Sequence, residues 1–281
     1  MMIEKSKNSM KFETKAYNPL NFAQQNFSFH LLFFIAFIFC FQLHHATGKY
    51  GTLLYTYDAN GNRASIKDNG TQYDYNYTSG TNRLLNQKQG SSTRESFTYD
   101  ASGNALTDTI SLGTISYSYS NWNKLKQLTN GINSITATYK YNGLGQRASK
   151  TAGGTTTNYV YDTAGHIIAE YSGNTLLREY IYLNDEPLAE IDSSGNIFYL
   201  HNDHLNTPQK ATNASQAIIW DNITEAFGEP YSLTGSLANN LRFPGQLFDG
   251  EGTLNYNNNR YYSYWHGRYT QPDPIGLSGG G

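Results

Sequence analysis

Hydrophobic and polar positions alternate along most of this chain, and rings mark the apolar ones. Aromatic-x-Tyr pairs recur as Tyr55-Tyr57, Tyr75-Tyr77, Phe97-Tyr99, Tyr117-Tyr119, Tyr139-Tyr141, Tyr159-Tyr161 and Tyr180-Tyr182, with successive second tyrosines 20 to 22 residues apart. Two rings at a spacing of two share one face of a strand. A turn follows many of the pairs: Asp58 to Gly61, Asp100 to Gly103, Asn142 to Gly145, Asp162 to Gly165. The Asx side chain bonds the backbone two residues on, and glycine takes the left-handed position. A second alternating run returns, as in Asn104–Thr107 and His166–Glu170. Each period therefore predicts one β-hairpin. A lone hairpin cannot bury its apolar face, so stacked hairpins sharing a continuous aromatic face are expected. Accumulated strand twist should curve that sheet.

After Tyr182 the grammar changes. Asn184–Glu190 still reads as a turn and a strand. The stretches Phe198–Pro208, Trp220–Gly228 and Leu241–Gln246 read as a capping or plug region with irregular loops. Repeat arrays need atypical terminal units to cover the last face.

The start is different again. Phe29–Phe41 is an apolar run preceded by Lys5, Lys7, Lys11 and Lys15 and followed by the small residues of Ala46-Thr47-Gly48. It is too short to cross a bilayer comfortably and fits the apolar region of a signal peptide. The alternative is a signal anchor, and either reading makes it an N-terminal hydrophobic helix. The one cysteine, Cys40, lies inside this run, so no disulfide staples the fold.

Composition sharpens the picture. The chain has 281 residues, 15% of them aromatic, with 24 tyrosines against three tryptophans, which leans toward an all-β fold. A net charge of −2 with no basic face argues against a nucleic-acid partner. No P-loop, dinucleotide fingerprint or Gly-x-Ser-x-Gly elbow occurs, and no cofactor is expected. His201 and His204 form an H-x-x-H pair, a weak metal candidate set against a loop hydrogen-bond network.

Together these motifs resemble the RHS/YD-repeat family. The tyrosine-aspartate hairpins match its repeat. Tyr199–Pro208, Trp220-Asp221, Ala226-Phe227-Gly228, Asn240–Gln246, Arg260-Tyr261-Tyr262, Gly267–Tyr269 and Asp273–Gly280 resemble its RHS-associated core domain. The resemblance implies a leader over 1–48, YD repeats over 49–195 and the core domain over 196–281. It also implies an all-β, curved and partly open shell, secreted or in the cell envelope, of the kind that encloses a C-terminal toxin. Its partner would be that toxin or another shell-forming chain.

In many relatives an aspartic-type self-cleavage follows the core domain. Arg260 matches the arginine of the family's R-Y-Y element and Asp273 the aspartate of its first D-P-x-G element. A carboxylate pair is needed, one group giving a proton while the other takes one. The family's second D-P-x-G lies downstream, and this chain ends at Gly281. Ser263–His266 also replaces the family's acidic, proline-containing turn. The expectation is therefore a structural protein, with Arg260 and Asp273 vestigial, Asp273-Pro274 forming a turn and Arg260 a buried partner for that carboxylate. Two rivals stand beside it: an autoprotease half-site completed by another chain, and a surface adhesin binding carbohydrate through exposed tyrosines.

Overall fold

The computed structural model describes residues 42–276 and the backbone of 11–14. The apolar run Phe29–Phe41, with its expected helix, and Cys40 lie outside the described residues. The described residues are all-β, in two compact units. The first, residues 1–75, carries β1 (Lys11–Thr14), β2 (Leu43–Gly48), β3 (Gly51–Tyr57), β4 (Arg63–Asp68) and most of β5 (Thr71–Tyr77). Each is antiparallel to the one before. Inside this unit the Arg63 guanidinium lies 5.0 and 5.6 Å from the ring centres of Tyr55 and Tyr75.

The second unit, residues 76–281, continues the same grammar. Its strands are β6 (Leu84–Gln89), β7 (Ser92–Tyr99), β8 (Ala105–Ile110), β9 (Gly113–Tyr119), β10 (Leu125–Asn130), β11 (Ile135–Tyr141) and β12 (Arg147–Ala152). Then follow β13 (Thr155–Tyr161), β14 (Ile167–Ser172), β15 (Thr175–Leu183), β16 (Glu186–Asp192), β17 (Ile197–Asn202), β18 (Pro208–Thr212), β19 (Ile218–Thr224) and β20 (Pro230–Gly235). They stack antiparallel in sequence order into one wall. Alternation sets its two faces. Along β11, Ala137 and Tyr139 are buried while Thr136, Thr138 and Lys140 are exposed. The first ring of each pair in this unit except Phe97 is buried, as at Tyr117, Tyr139, Tyr159 and Tyr180.

The second ring does a separate job. Tyr99, Tyr119, Tyr141 and Tyr161 are half-buried and donate their hydroxyls to the carbonyls of Leu84, Ala105, Leu125 and Arg147 at 2.8–3.0 Å. Ala105, Leu125 and Arg147 sit opposite the second tyrosine of the preceding hairpin. Every such bond thus ties one hairpin to its predecessor. In β17 an amide replaces the phenol: Asn202 donates to the carbonyl of Pro187 at 2.8 Å.

The turns share one frame. In the turn between β7 and β8, the Asp100 amide donates to the Asn104 carbonyl and the Gly103 amide to the Asp100 carbonyl, at 2.9 and 3.1 Å, whereas the longer turn between β5 and β6 closes from the Thr78 amide to the Arg83 carbonyl. Gly103 has φ +87°, the left-handed region that glycine enters without strain. The frame persists beyond Tyr182, where irregular loops were expected: Asp192–Asn196, Asp203–Thr207, Asn213–Ala217 and Glu225–Glu229 all carry it. Asn206 and Gln216 take the left-handed position there with φ 64° and 65°, so the glycine signal is missing while the geometry is kept.

A four-stranded sheet of β21 (Leu247–Asp249), β22 (Leu254–Asn257), β23 (Arg260–Ser263) and β24 (Arg268–Tyr269) completes this unit. Its Leu247, Leu254, Tyr256 and Tyr261 join one apolar cluster with Tyr117, Leu125, Leu128, Tyr139 and Tyr159 of the wall. Approach is close: a Cβ on Gly252 would stand 2.3 Å from Leu128 Cδ1.

Removing one hydroxyl tests the tie between hairpins. Tyr119→Phe should cost about 1 kcal/mol, the usual net worth of such a hydrogen bond, measured by urea unfolding. An unchanged midpoint would mean that the ring alone carries the contact.

Candidate functional site

The two residues singled out near the C-terminus meet. Arg260 at the start of β23 and Asp273 in the segment after β24 form an ion pair, Nη2 to Oδ2 at 2.8 Å. Their side chains are 23% and 33% exposed, so the pair is half-buried rather than buried. The guanidinium lies 3.8 Å from the ring centre of Tyr269, which fixes its plane. Asp273 also opens the expected turn, its carbonyl accepting from the Gly276 amide at 2.9 Å and its Oδ1 from the Ile275 amide at 3.1 Å.

The histidine pair separates by role. His201 lies on β17, exposed, with Nε2 2.9 Å from Thr212 Oγ1. His204 is exposed in the following turn. Among the described residues no group of three or more His, Cys, Asp and Glu side chains is arranged to hold a metal. The first tyrosines of the repeated pairs are buried and the second ones half-buried.

The strongest chemistry lies where the wall meets the small sheet. Arg147, at the first position of β12, has no exposed surface. Its guanidinium is 5.7, 4.6 and 4.2 Å from the ring centres of Tyr139, Tyr159 and Tyr256. It donates to Asp249 of β21, and its backbone amide donates to the Tyr256 hydroxyl at 2.8 Å. Lys150 from the same strand reaches Asp249 at 2.8 Å and Glu251 at 3.1 Å. Tyr139 donates to Glu251 Oε1 at 2.9 Å, and the Asn130 amide to the Glu251 carbonyl at 2.9 Å. Burial alone would push the Asp249 carboxyl up, but Arg147 and Lys150 outweigh it and hold it below its ordinary value. Burial likewise opposes the Arg147 charge, and Asp249 overrides it.

Spacing could not have joined these residues, because Arg147 and Asp249 are 102 positions apart. A local signal for the arginine does exist. Arg63-Ala-Ser65 and Arg147-Ala-Ser149 both follow a turn, and each arginine lies against the first tyrosines of its own hairpin and the next.

A second feature is a cavity of about 330 Å³ between the turns of β13–β18 and the loop before β21, lined by Tyr161, His166, Tyr182, Phe243 and Tyr256 among others. His166 sits between Asp162 and Asp185, at 2.8 and 3.0 Å, with its ring stacked on Tyr182. Burial works against its positive charge, but the two aspartates win and raise its pKa.

Comparison with known proteins decides the family. Residues 41–278 match the family described as Teneurin YD-shell. This chain belongs to the RHS/YD-repeat family. Over 243 residues the YD shell is 28% identical to the tRNA3(Ser)-specific nuclease WapA of Bacillus spizizenii, a match covering 83% of this chain and 10% of that protein. It is 26% identical to the double-stranded DNA deaminase toxin A of Burkholderia cenocepacia, over 80% of this chain and 18% of the relative. The toxin protein Tse5 of Pseudomonas aeruginosa is 36% identical over 84 residues, 30% of this chain and 6% of that one. A solved structure of TcdB2-TccC3 without its hypervariable C-terminal region aligns over 84% of this chain and 19% of that one, at 16% identity and TM-score 0.33. The YD shell thus spans under a fifth of the length of each of these proteins.

Asp249→Ala leaves Arg147 and Lys150 facing each other without their shared carboxylate, and should cost about 3–5 kcal/mol in urea unfolding. Arg147→Met combined with Asp249→Leu should recover much of that loss, since an apolar pair of similar volume replaces the buried ions. Equal losses in the single and the double variant would show that the charges matter only through shape.

Proposed function

We propose that this chain is the C-terminal part of a secreted or cell-envelope RHS/YD-repeat shell, curved and partly open, of the kind that encloses and delivers a C-terminal toxin. Its role is structural, without catalysis of its own, and its partner is a toxin segment or another shell-forming chain. One observation carries this reading: Tyr117, Tyr139, Tyr159 and Tyr180 of the repeat share one buried cluster with the small sheet, which is bound there by Arg147, Lys150 and their carboxylates. The relatives named as a nuclease, a deaminase toxin and a toxin protein are far longer than their match to this chain, which suits a shell whose cargo lies elsewhere in the protein. Fusing a reporter nuclease after Gly281 tests the reading. Enclosure predicts that protease digests the reporter more slowly than the free reporter and that its activity is masked until the shell unfolds. Equal digestion rates and full activity would overturn it.

A second reading rests on the Arg260–Asp273 pair, which holds one carboxylate in a fixed place near the C-terminus. In that reading the chain is half of an aspartic-type autoprotease completed by another chain. Co-expression with a downstream piece carrying D-P-x-G should then yield a cut that Asp273→Asn abolishes. An uncut pair of chains eliminates it.

A further inference from the structure

The hairpin turns along one rim of the wall share a backbone frame but not the side chains at their tips. Antiparallel strands in sequence order put the turns β7–β8, β9–β10, β11–β12 and β13–β14 at the same end of the sheet. In the middle two, the Ser120 amide donates to the Lys124 carbonyl and the Asn142 amide to the Gln146 carbonyl, both at 2.8 Å. Asn123 and Gly145 take the left-handed position there, with φ 58° and 78°. The third residue of the frame stands at the tip. It is Ser102 and Ala164 in the outer two turns, and Trp122 and Leu144 in the middle two. Trp122 is 82% exposed and Leu144 84%, the highest values for large hydrophobic side chains among the described residues.

Single exposed apolar residues are ordinary on a protein surface. These two are neighbours. Turns at the same end of the sheet recur at about 10 Å, twice the strand spacing. A Cβ on Gly145 of one turn would stand 3.4 Å from Lys124 Nζ of the other. Charge changes at the same place. The outer turns open with Asp100 and Asp162, the middle two with Ser120 and Asn142, and no acidic residue occurs between Asp108 and Asp162. Asn142 Oδ1 does the work of the missing carboxylate without its charge, accepting from the Leu144 and Gln146 amides at 2.9 and 3.0 Å. Three lysines flank the tips. Lys124 follows the first turn, with Nζ 2.7 Å from Asn259 Oδ1, and Lys126 and Lys140 stand exposed on β10 and β11. None of the three makes an ion pair among the described residues.

We propose that this part of the rim is a membrane-docking surface, in which Trp122 and Leu144 enter the interfacial layer of a phospholipid bilayer while Lys124, Lys126 and Lys140 face its phosphates. Both tips protrude, and a bilayer accepts protruding apolar groups without a matching cleft. An indole combines an apolar ring with an N–H donor, which suits the boundary between headgroups and acyl chains. Lysines close to an anionic leaflet add attraction. A carboxylate at the same depth would lose its hydration and repel anionic headgroups, and of the four turns only these two lack one at the opening position. Leu205 repeats the tip further along the rim, but with Asp203 beside it. The surface lies on the turns and not on the inner face, so its failure would leave the reading of that face as part of a cargo shell untouched.

Fluorescence reads the docking in the full chain, whose tryptophans are Trp122, Trp220 and Trp265, so the apolar run Phe29–Phe41 contributes none. Vesicles of phosphatidylcholine and phosphatidylglycerol should shift the emission to shorter wavelength. The same vesicles with brominated acyl chains should quench it. Trp122→Ser should remove the shift and most of the quenching. Leu144→Asp keeps the tryptophan and places a charge beside it, and it should cut the quenching as well. The thermal midpoints of both variants should match that of the unmutated protein, because both positions are exposed. Emission that ignores brominated lipid, quenching equal in the unmutated protein and Trp122→Ser, or quenching untouched by Leu144→Asp would each overturn the proposal. Attachment through the apolar run alone would leave Trp122 unquenched, and so counts against it.

Discussion

The phenol of the second tyrosine, as at Tyr99, Tyr119, Tyr141 and Tyr161, is the constraint on which the wall depends. A two-stranded ribbon has no way to bury its apolar face alone, and a tyrosine on that face brings a hydroxyl that needs a partner. Stacking the next ribbon solves both problems at once. The ring covers its neighbour, and the hydroxyl finds the carbonyl opposite the previous tyrosine, as Tyr119 does at Ala105 and Tyr161 at Arg147. The tyrosine stands 14 to 16 residues after that carbonyl, inside a beat of 20 to 22. Phenylalanine could supply the area but not the register.

The small sheet is bound by a different kind of contact. Its apolar residues merge with those of the wall, yet charged groups are buried at the join beside them: Arg147, Asp249 and Glu251. A buried ion pair is poor evidence of net stability, since desolvation consumes much of the attraction. It does discriminate between arrangements. A small sheet shifted along the wall would leave Arg147 among tyrosine rings with no carboxylate, and Asp249 with no cation. The rings and leucines make the join adhesive, and the charges select one seating.

How much of this could be read from the chain depends on the range of each interaction. Alternation, the tyrosine pairs and the Asx-Gly turns are local, and they mark out the hairpins up to Tyr182. Beyond it the same turns are built with Asn206 and Gln216 in the left-handed position and with Asn202 in place of a tyrosine, so the geometry outlasts its usual residues. Arg260 and Asp273 could be connected through their motifs, and they do pair, though half-exposed. The Arg147 cluster and the Glu95–His266 contact join positions far apart in the sequence. His266 and Glu95, for instance, are separated by 171 residues. No periodicity speaks to such distances. The replacement of an acidic, proline-containing turn by Ser263–His266 was the one local sign that this corner had been rebuilt.

The central claim is that wall hairpins and small sheet share one core in the second unit. Native-state hydrogen exchange at increasing denaturant measures this directly. Slow amides of β8–β14 and of β21–β23 should converge on one common opening as denaturant rises, because staples and cluster must break together. Hairpins that open one after another, with the small sheet exchanging at a free energy of its own, would contradict the account.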